Sequence, residues 1–187
     1  NISLKLEKIK FKFDVKDFNL FLETENPELI YKDLTIPIKN VKVYLDFYSL
    51  IKSKSKIDKI NISSKEINID QLKKIIIKTK PSSLNSLINN KVENGKLVID
   101  LELYFNDNLN VSNFIAKGEV KNMDGVINDD LSLQDTNFNF FADSSDILIK
   151  DVESKMEGIL IKDGNLQIQR NEDINLKFDF ATEIKIN

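Results

Sequence analysis

Hydrophobic residues recur at every second position over most of this chain, the period at which a β-strand turns successive side chains to opposite faces. Ile2, Leu4 and Leu6 open the pattern on even positions, Ile9, Phe11, Phe13 and Val15 continue it on odd ones, and Phe18, Leu20 and Leu22 return to even. A slip of one residue turns the following side chains over, so each slip predicts a bulge or a turn. Asn26-Pro27 ends the first run, since proline cannot donate to a strand ladder. Alternation resumes at Ile36 and Ile38, then at Val41, Val43, Leu45 and Phe47, and short strands are expected at Ile57–Ile62 and at Ile67 with Ile69. Leu97, Ile99, Leu101, Leu103 and Phe105 follow, then Phe114, Ala116, Gly118 and Val120. Further pairs stand at Leu131 and Leu133, Phe138 and Phe140, Ile147 and Ile149, Ile159 and Ile161, and Leu166 and Ile168; Leu176, Phe178 and Phe180 lead to the end. The pattern predicts on the order of a dozen strands joined by short polar turns, the habit of an antiparallel meander.

One interval departs from this rhythm. Leu72, Ile75 and Ile76 have helical spacing, with Asp70 placed to cap the first turn. After Pro81, Ser82 can cap a second short helix carrying Leu84, Leu87 and Ile88, and Asn94-Gly95 is expected to turn the chain back into strand. Helix is therefore expected near 70–90, with a turn at Tyr48–Ile51. The dipeptides Asn94-Gly95, Asp124-Gly125 and Asp163-Gly164 each precede an alternating stretch, a weak internal echo that reads as hairpin turns.

Strands of this kind have one apolar and one polar face, and a naked apolar face has to be covered. Two short helices are too few to shield a dozen strands. A sandwich, a closed barrel, or a curled sheet whose concave face holds an apolar ligand would satisfy the pattern. The twelve phenylalanines fit either a packed core or the lining of such a groove.

Composition narrows the chemistry. The chain has no cysteine and no histidine, which removes thiolate chemistry, the commonest general base and the commonest metal ligand together. No glycine-rich phosphate loop or complete calcium-loop spacing is present. Asn106-Asp107-Asn108, Asp129-Asp130 and Asp143 to Asp146 are the acidic clusters, and each sits between strand patterns where turn residues are expected. The chain is accordingly read as non-enzymatic, with no cofactor and no metal. Its net charge of −3 hides an asymmetry: residues 1–80 carry 17 basic and 11 acidic side chains, residues 81–187 carry 10 and 19. The basic stretch from Lys52 to Lys80 reads either as the solvated face of a lysine-rich protein or as a surface that meets anionic headgroups. A nucleic-acid partner is not expected, because no recognition motif accompanies the charge.

Particular stretches also resemble a known family. The runs Asn26–Asp33, Leu45–Ile51, Ile57–Ile62 and Glu66–Leu72 look like the AsmA-like family, and Gly118–Gly125 with Phe138–Ile149 are similar to its large YhdP-type members. The likeness covers about 20–186 and rests on spacing and phrase. It implies a bridge-like lipid-transfer protein of the Gram-negative envelope, in which a taco-shaped sheet conducts phospholipid between inner and outer membrane. The fold then expected is mainly β: a long curled antiparallel sheet with one apolar concave face and a short helical insertion near 70–90. Residues 1–187 would form a single β-groove segment, a fragment of a larger periplasmic chain anchored in the inner membrane outside this segment. Its partners would be phospholipid acyl chains, neighbouring segments of the same parent chain, and membranes at the ends of that chain. The residues expected to line the groove are Val43, Leu45, Phe47, Leu97, Ile99, Leu101, Leu103, Phe114, Phe138, Phe140, Ile147, Ile149, Ile159, Ile161, Leu166, Ile168, Phe178 and Phe180. The alternative is a β-sandwich or solenoid scaffold module of a surface protein, with a sealed core.

Overall fold

The computed structural model describes residues 2–6, 8–15, 19–46, 49, 51–52, 56–128, 130–170 and 174–184. Among the described residues there are fourteen strands: β1 (Ile2–Lys5), β2 (Ile9–Asp14), β3 (Asn19–Glu25), β4 (Glu28–Tyr31), β5 (Leu34–Ile36), β6 (Ile38–Leu45), β7 (Ile57–Ser64), β8 (Ile67–Asn68), β9 (Val92–Phe105), β10 (Val111–Asn128), β11 (Leu131–Ala142), β12 (Asp146–Met156), β13 (Ile159–Arg170) and β14 (Ile174–Ile184). The two helices between β8 and β9 are α1 (Ile69–Ile77) and α2 (Ser83–Lys91). Strands β14-β13-β12-β11-β10-β9-β7-β6-β3-β2 are hydrogen-bonded in that order, with β8 also on β9, and every recorded pairing is antiparallel. The order begins on β14 and ends on β2, so among the described residues the sheet is open and is not a barrel. β1, β4 and β5 form a separate three-stranded sheet.

The chain divides into two compact units, residues 1–65 with 99–116, and residues 66–98 with 117–187. In the first, Asn26 adopts a left-handed backbone (φ 47°) and its N–H donates to the Lys39 carbonyl at 2.7 Å, ending β3 as the Asn-Pro pair predicts. Lys32 and Asp33, both at positive φ, make the two-residue turn between β4 and β5, the backbone that matches strand twist in a tight hairpin. Ser64 is buried, and its Oγ accepts from the Ile99 N–H at 2.9 Å, so a hydroxyl takes over where the β7–β9 backbone ladder stops.

In the second unit the helices fall where their spacing predicts, with one shift. The N-cap of α1 is Asn68 rather than Asp70: Asn68 Oδ1 accepts from Gln71 N–H and Gln71 Oε1 from Asn68 N–H, a reciprocal capping box. Ile69 thus opens the helix instead of continuing the strand. Ser82 caps α2 as expected, its Oγ accepting from Asn85 N–H at 3.1 Å. Of the turn expected at Tyr48–Ile51, Tyr48 and Leu50 lie outside the described residues; Ser49 donates its N–H to Asp46 Oδ1.

The larger departure concerns the expected turn dipeptides and the short paired stretches that follow them. Asn94-Gly95, Asp124-Gly125 and Asp163-Gly164 do not end strands; each lies inside one, in β9, β10 and β13. Likewise Leu131 and Leu133 belong to the same strand as Phe138 and Phe140, and Ile159 and Ile161 to the same strand as Leu166 and Ile168. Between the members of each set a residue stands in the left-handed region, Asp135 (φ 49°) in β11 and Asp163 (φ 52°) in β13, and Asn122 (φ 49°) in β10 and Asp151 (φ 54°) in β12 do the same in the strands beside them. The register shifts at Asp135, Asp151 and Asp163. One extra residue absorbed as a bulge returns the following side chains to the face they would otherwise have left. Asp and Asn tolerate this backbone better than other residues with a Cβ. Opposite Asp135, Thr136 and Ser154 are both buried and share a hydrogen bond of 2.7 Å, so the two hydroxyls satisfy each other.

The left-handed backbone at Asp163 gives a direct test. Asp163→Gly is expected to leave stability unchanged or slightly raised. Asp163→Val, whose branched Cβ resists this conformation, is expected to lower it by about 1–2 kcal/mol. Urea denaturation of the two variants checks the difference, and equal stabilities would contradict the bulge.

Candidate functional site

The cross-strand register sorts the side chains of the first unit into rows. Ile9, Thr24, Val41, Ile62 and Leu101 stand opposite one another across five strands, as do Phe11, Leu22, Val43, Ile60 and Leu103. A third row holds Phe13, Leu20, Leu45 and Ile57. These rows alternate with polar ones, so one face is apolar. Val41 is buried, most of the other row members are half-buried, and the face opens to solvent along β2, where Phe11 is 68% exposed.

The second unit repeats the arrangement. Phe140, Ile149, Leu166 and Phe178 form one row and Ala142, Ile147, Ile168 and Leu176 the next. Beyond the bulges, Ser154 stands opposite Ile161, which stands opposite Thr182, and Met156 opposite Ile159. Gly118 belongs to this face. A Cβ placed there would overlap the Val98 carbonyl oxygen and lie 2.8 Å from the Phe140 ring, so both the neighbouring backbone and the ring require a glycine. Leu97 pairs with buried Ile67 at the start of the unit. At the far edge Phe178 is 70% exposed, and its ring stacks on Phe180 with centroids 6.1 Å apart.

Of the residues expected to line a groove, Val43, Leu45, Leu101 and Leu103 thus share rows in the first unit. Phe140, Ile147, Ile149, Leu166, Ile168 and Phe178 share rows in the second. Ile159 and Ile161 lie on their continuation, Ile99 stands on β9 between Leu97 and Leu101, and Phe114 and Phe138 are half-buried on β10 and β11. Phe47 lies outside the described residues. The rows also contain Ile9, Phe11, Phe13, Leu20, Leu22, Ile60 and Ile62, which the expected lining omits although the same alternation marks them.

Burial describes the same open surface. Among the described residues no large side chain is fully buried, and the accessible surface is 12911 Å². A compact protein of 21.6 kDa would show roughly 9,200 Å². Ile9, Phe11, Phe13, Leu176, Phe178 and Phe180 on the outer strands β2 and β14 are among the exposed side chains that contribute to the excess.

The opposite face of the first unit is built from interleaved charge and aromatic rings. One row runs Lys10, Glu23, Lys42, Asn61, Glu102 and the next Lys12, Phe21, Tyr44, Lys59, Tyr104. Glu23 is buried between Lys12, which pairs with it, and Lys42 at 3.8 Å. Lys42 also lies over the Phe21 ring at 5.5 Å and Lys59 over Tyr44 at 4.6 Å, so the lysine stems cover the rings while their charges stay paired. Tyr104 donates to Glu102 Oε2 at 2.7 Å, and that hydrogen bond, with burial and the Glu102 charge behind it, pushes the phenol up to about 12.

The acidic clusters make turns. Asp143 Oδ1 accepts from the N–H groups of Ser145 and Asp146 and from the Ser145 hydroxyl, which holds its carboxyl below the usual carboxylate range. Asn106 Oδ1 accepts from Asn108 and Asn110 N–H, and Asn128 Oδ1 from Asp130 N–H; Asp129 lies outside the described residues. Among the described residues no three carboxylates converge to hold a metal ion, and no helix is long and apolar enough to cross a membrane. Surface depressions of 220 and 290 Å³, lined by Ile159, Leu160 and Glu183 and by Lys10, Glu25 and Asn26, are shallow. No family model, no curated protein and no solved structure matches this chain.

The Tyr104–Glu102 pair sets an alkaline dependence. The phenol is raised in the folded chain, so the stability it contributes is complete below pH ~10, the ordinary phenol value, and is lost as pH rises through about 12. NMR titration of the Tyr104 ring should show the late midpoint, and Glu102→Gln should bring it back toward about 10. The same midpoint in both proteins would contradict the assignment.

Proposed function

We propose that this chain is a non-enzymatic lipid-transfer module whose apolar sheet faces receive the acyl chains of phospholipids. The observation that carries the reading is the set of continuous apolar rows, five strands wide in the first unit and four in the second, that remain open along β2 and β14. Five strands at about 4.8 Å spacing give a row of ~19 Å, a length over which a lipid tail can lie. Methylenes laid on such a row gain about 0.8 kcal/mol each wherever they sit, so the tail is held without being fixed and can move along the surface. The headgroup remains in water. No residue performs chemistry in this mechanism, and the direction of flow is imposed from outside the module.

Curling of the sheet into a concave groove, periplasmic location, and membership of the AsmA-like family belong to the same proposal. They are supported by the resemblance of Asn26–Asp33, Gly118–Gly125 and Phe138–Ile149 to that family, and by the openness of a sheet with one apolar face.

Native mass spectrometry of gently purified protein tests the reading. The wild type is expected to carry phospholipid. Leu103→Asp, on the first unit's face, and Phe140→Asp, on the second's, are expected to fold at a cost of a few kcal/mol at most, because on an open face the carboxylate reaches water. Each should reduce or abolish lipid retention by its unit. In a sealed core the same carboxylate would be buried unpaired at several kcal/mol, comparable with the whole stability of a domain, about 5–15 kcal/mol. Unfolded variants would therefore replace this reading with a sandwich, and folded variants that retain lipid undiminished would show that these faces do not bind it.

A further inference from the structure

The helices α1 and α2 form a hairpin tied at its turn by one side chain. Asn85 Nδ2 donates to the Lys80 carbonyl and to Thr79 Oγ1, both at 2.9 Å, and to the Ile76 carbonyl at 3.5 Å, while the Thr79 hydroxyl donates to Ile76 O at 2.7 Å. The Ile76 carbonyl at the end of α1 is thereby satisfied and the connection is tied to α2. Around it three large aliphatic side chains stand in water: Ile77 is 71% exposed, Leu84 62% and Leu87 55%. Leu84 and Leu87 are one turn apart on α2, and Lys91 continues their stripe. Ile77 ends α1 one turn beyond Lys73 and Lys74. From Gln71 to Val92 the sequence has five lysines and no acidic residue.

Exposed aliphatics on a helix call for an apolar cover, and the charge around these decides among the candidates. Two such hairpins face to face would oppose five lysines each with a single carboxylate, Asp70 in the first turn of α1, to offset them, which disfavours a second copy. A bilayer with anionic lipids offers an acyl boundary under a layer of phosphate, which complements both features at once. We propose that the α1–α2 hairpin docks on an anionic membrane surface: Ile77, Leu84 and Leu87 enter the headgroup boundary and the lysines beside them meet the lipid phosphates. None of these residues belongs to the apolar sheet rows, and the proposal adds to the acyl-chain reading a contact with the bilayer itself.

Co-sedimentation with phosphatidylcholine vesicles, with and without phosphatidylglycerol, tests the proposal on the full chain. Binding is expected only to the vesicles containing phosphatidylglycerol. It should be lost near ~1 M salt, where screening shortens to about 3 Å. The triple variant Ile77→Ser, Leu84→Ser, Leu87→Ser should bind at least about tenfold more weakly. All three side chains are exposed, so its circular dichroism and melting temperature should match the wild type. Lipid retention by native mass spectrometry should also be unchanged, which separates failure here from failure of the sheet faces. Equal binding to neutral vesicles, or undiminished binding by the triple variant, would overturn the proposal. Self-association without vesicles that the triple variant abolishes would assign the hairpin to a second copy instead.

Discussion

A β-strand presents alternate residues to opposite sides, and in an antiparallel sheet the hydrogen-bond register decides which residues of neighbouring strands share a side. Everything distinctive in this protein depends on that constraint being met strand after strand. Phe11, Leu22, Val43, Ile60 and Leu103 come from five separate stretches of sequence, yet pairing sets them in one line. One residue of slippage in any strand would replace an apolar member with one from a neighbouring row, such as Lys10, Glu23, Lys42, Lys59 or Glu102. The mixed face behind it strengthens the register, because Glu23 meets Lys12 and Lys42, and Lys59 meets Glu102, only when the strands are aligned as they are. Each of these pairs is worth little alone where it is exposed. Their role is to make the alternative alignments worse.

The second unit meets the same constraint with strands long enough to drift out of phase. Its answer is a left-handed Asp or Asn in the middle of each of four consecutive strands, β10 to β13. The polar side chains near these bulges bond across to neighbouring strands: Asn139 Nδ2 to Asp151 at 3.0 Å, Asn165 Nδ2 to Asp179 at 3.0 Å, and Lys155 to Asp135 at 2.6 Å. The bulges thus turn the phase while hydrogen bonds on the polar side hold the strands together. On the other side Thr136 and Ser154 close the remaining polar gap.

Much of this was legible in the alternation. The antiparallel sheet, the helical interval, the Ser82 cap and the halt at Asn26 follow from residue patterns with local physical causes. What was not legible is non-local or ambiguous in chemistry. Asp-Gly serves a hairpin turn and an internal bulge equally well, and so does a lone Asp such as Asp135; only the partner strand decides which, and this is why β11 and β13 each read as two short strands. Asn68 displaces Asp70 as the cap of α1 because Gln71 completes a reciprocal pair with it. The open rows at Phe11 and Phe178 carried the same signal as their neighbours, but nothing in a single sequence says that β2 and β14 lie at the edges.

The proposed role asks of these faces only that they be apolar, continuous and accessible to a lipid tail. Photo-crosslinking with a phospholipid carrying a diazirine on its acyl chain, followed by peptide mapping, addresses that requirement at residue level. The account predicts label on the apolar rows, at residues such as Val43, Ile60 and Leu103 and at Phe140, Ile149 and Leu166. Lys42, Asn61 and Lys150, on the opposite side of their strands, should remain unlabelled. Label spread over both sides, or absent from these rows in the folded protein, would contradict it.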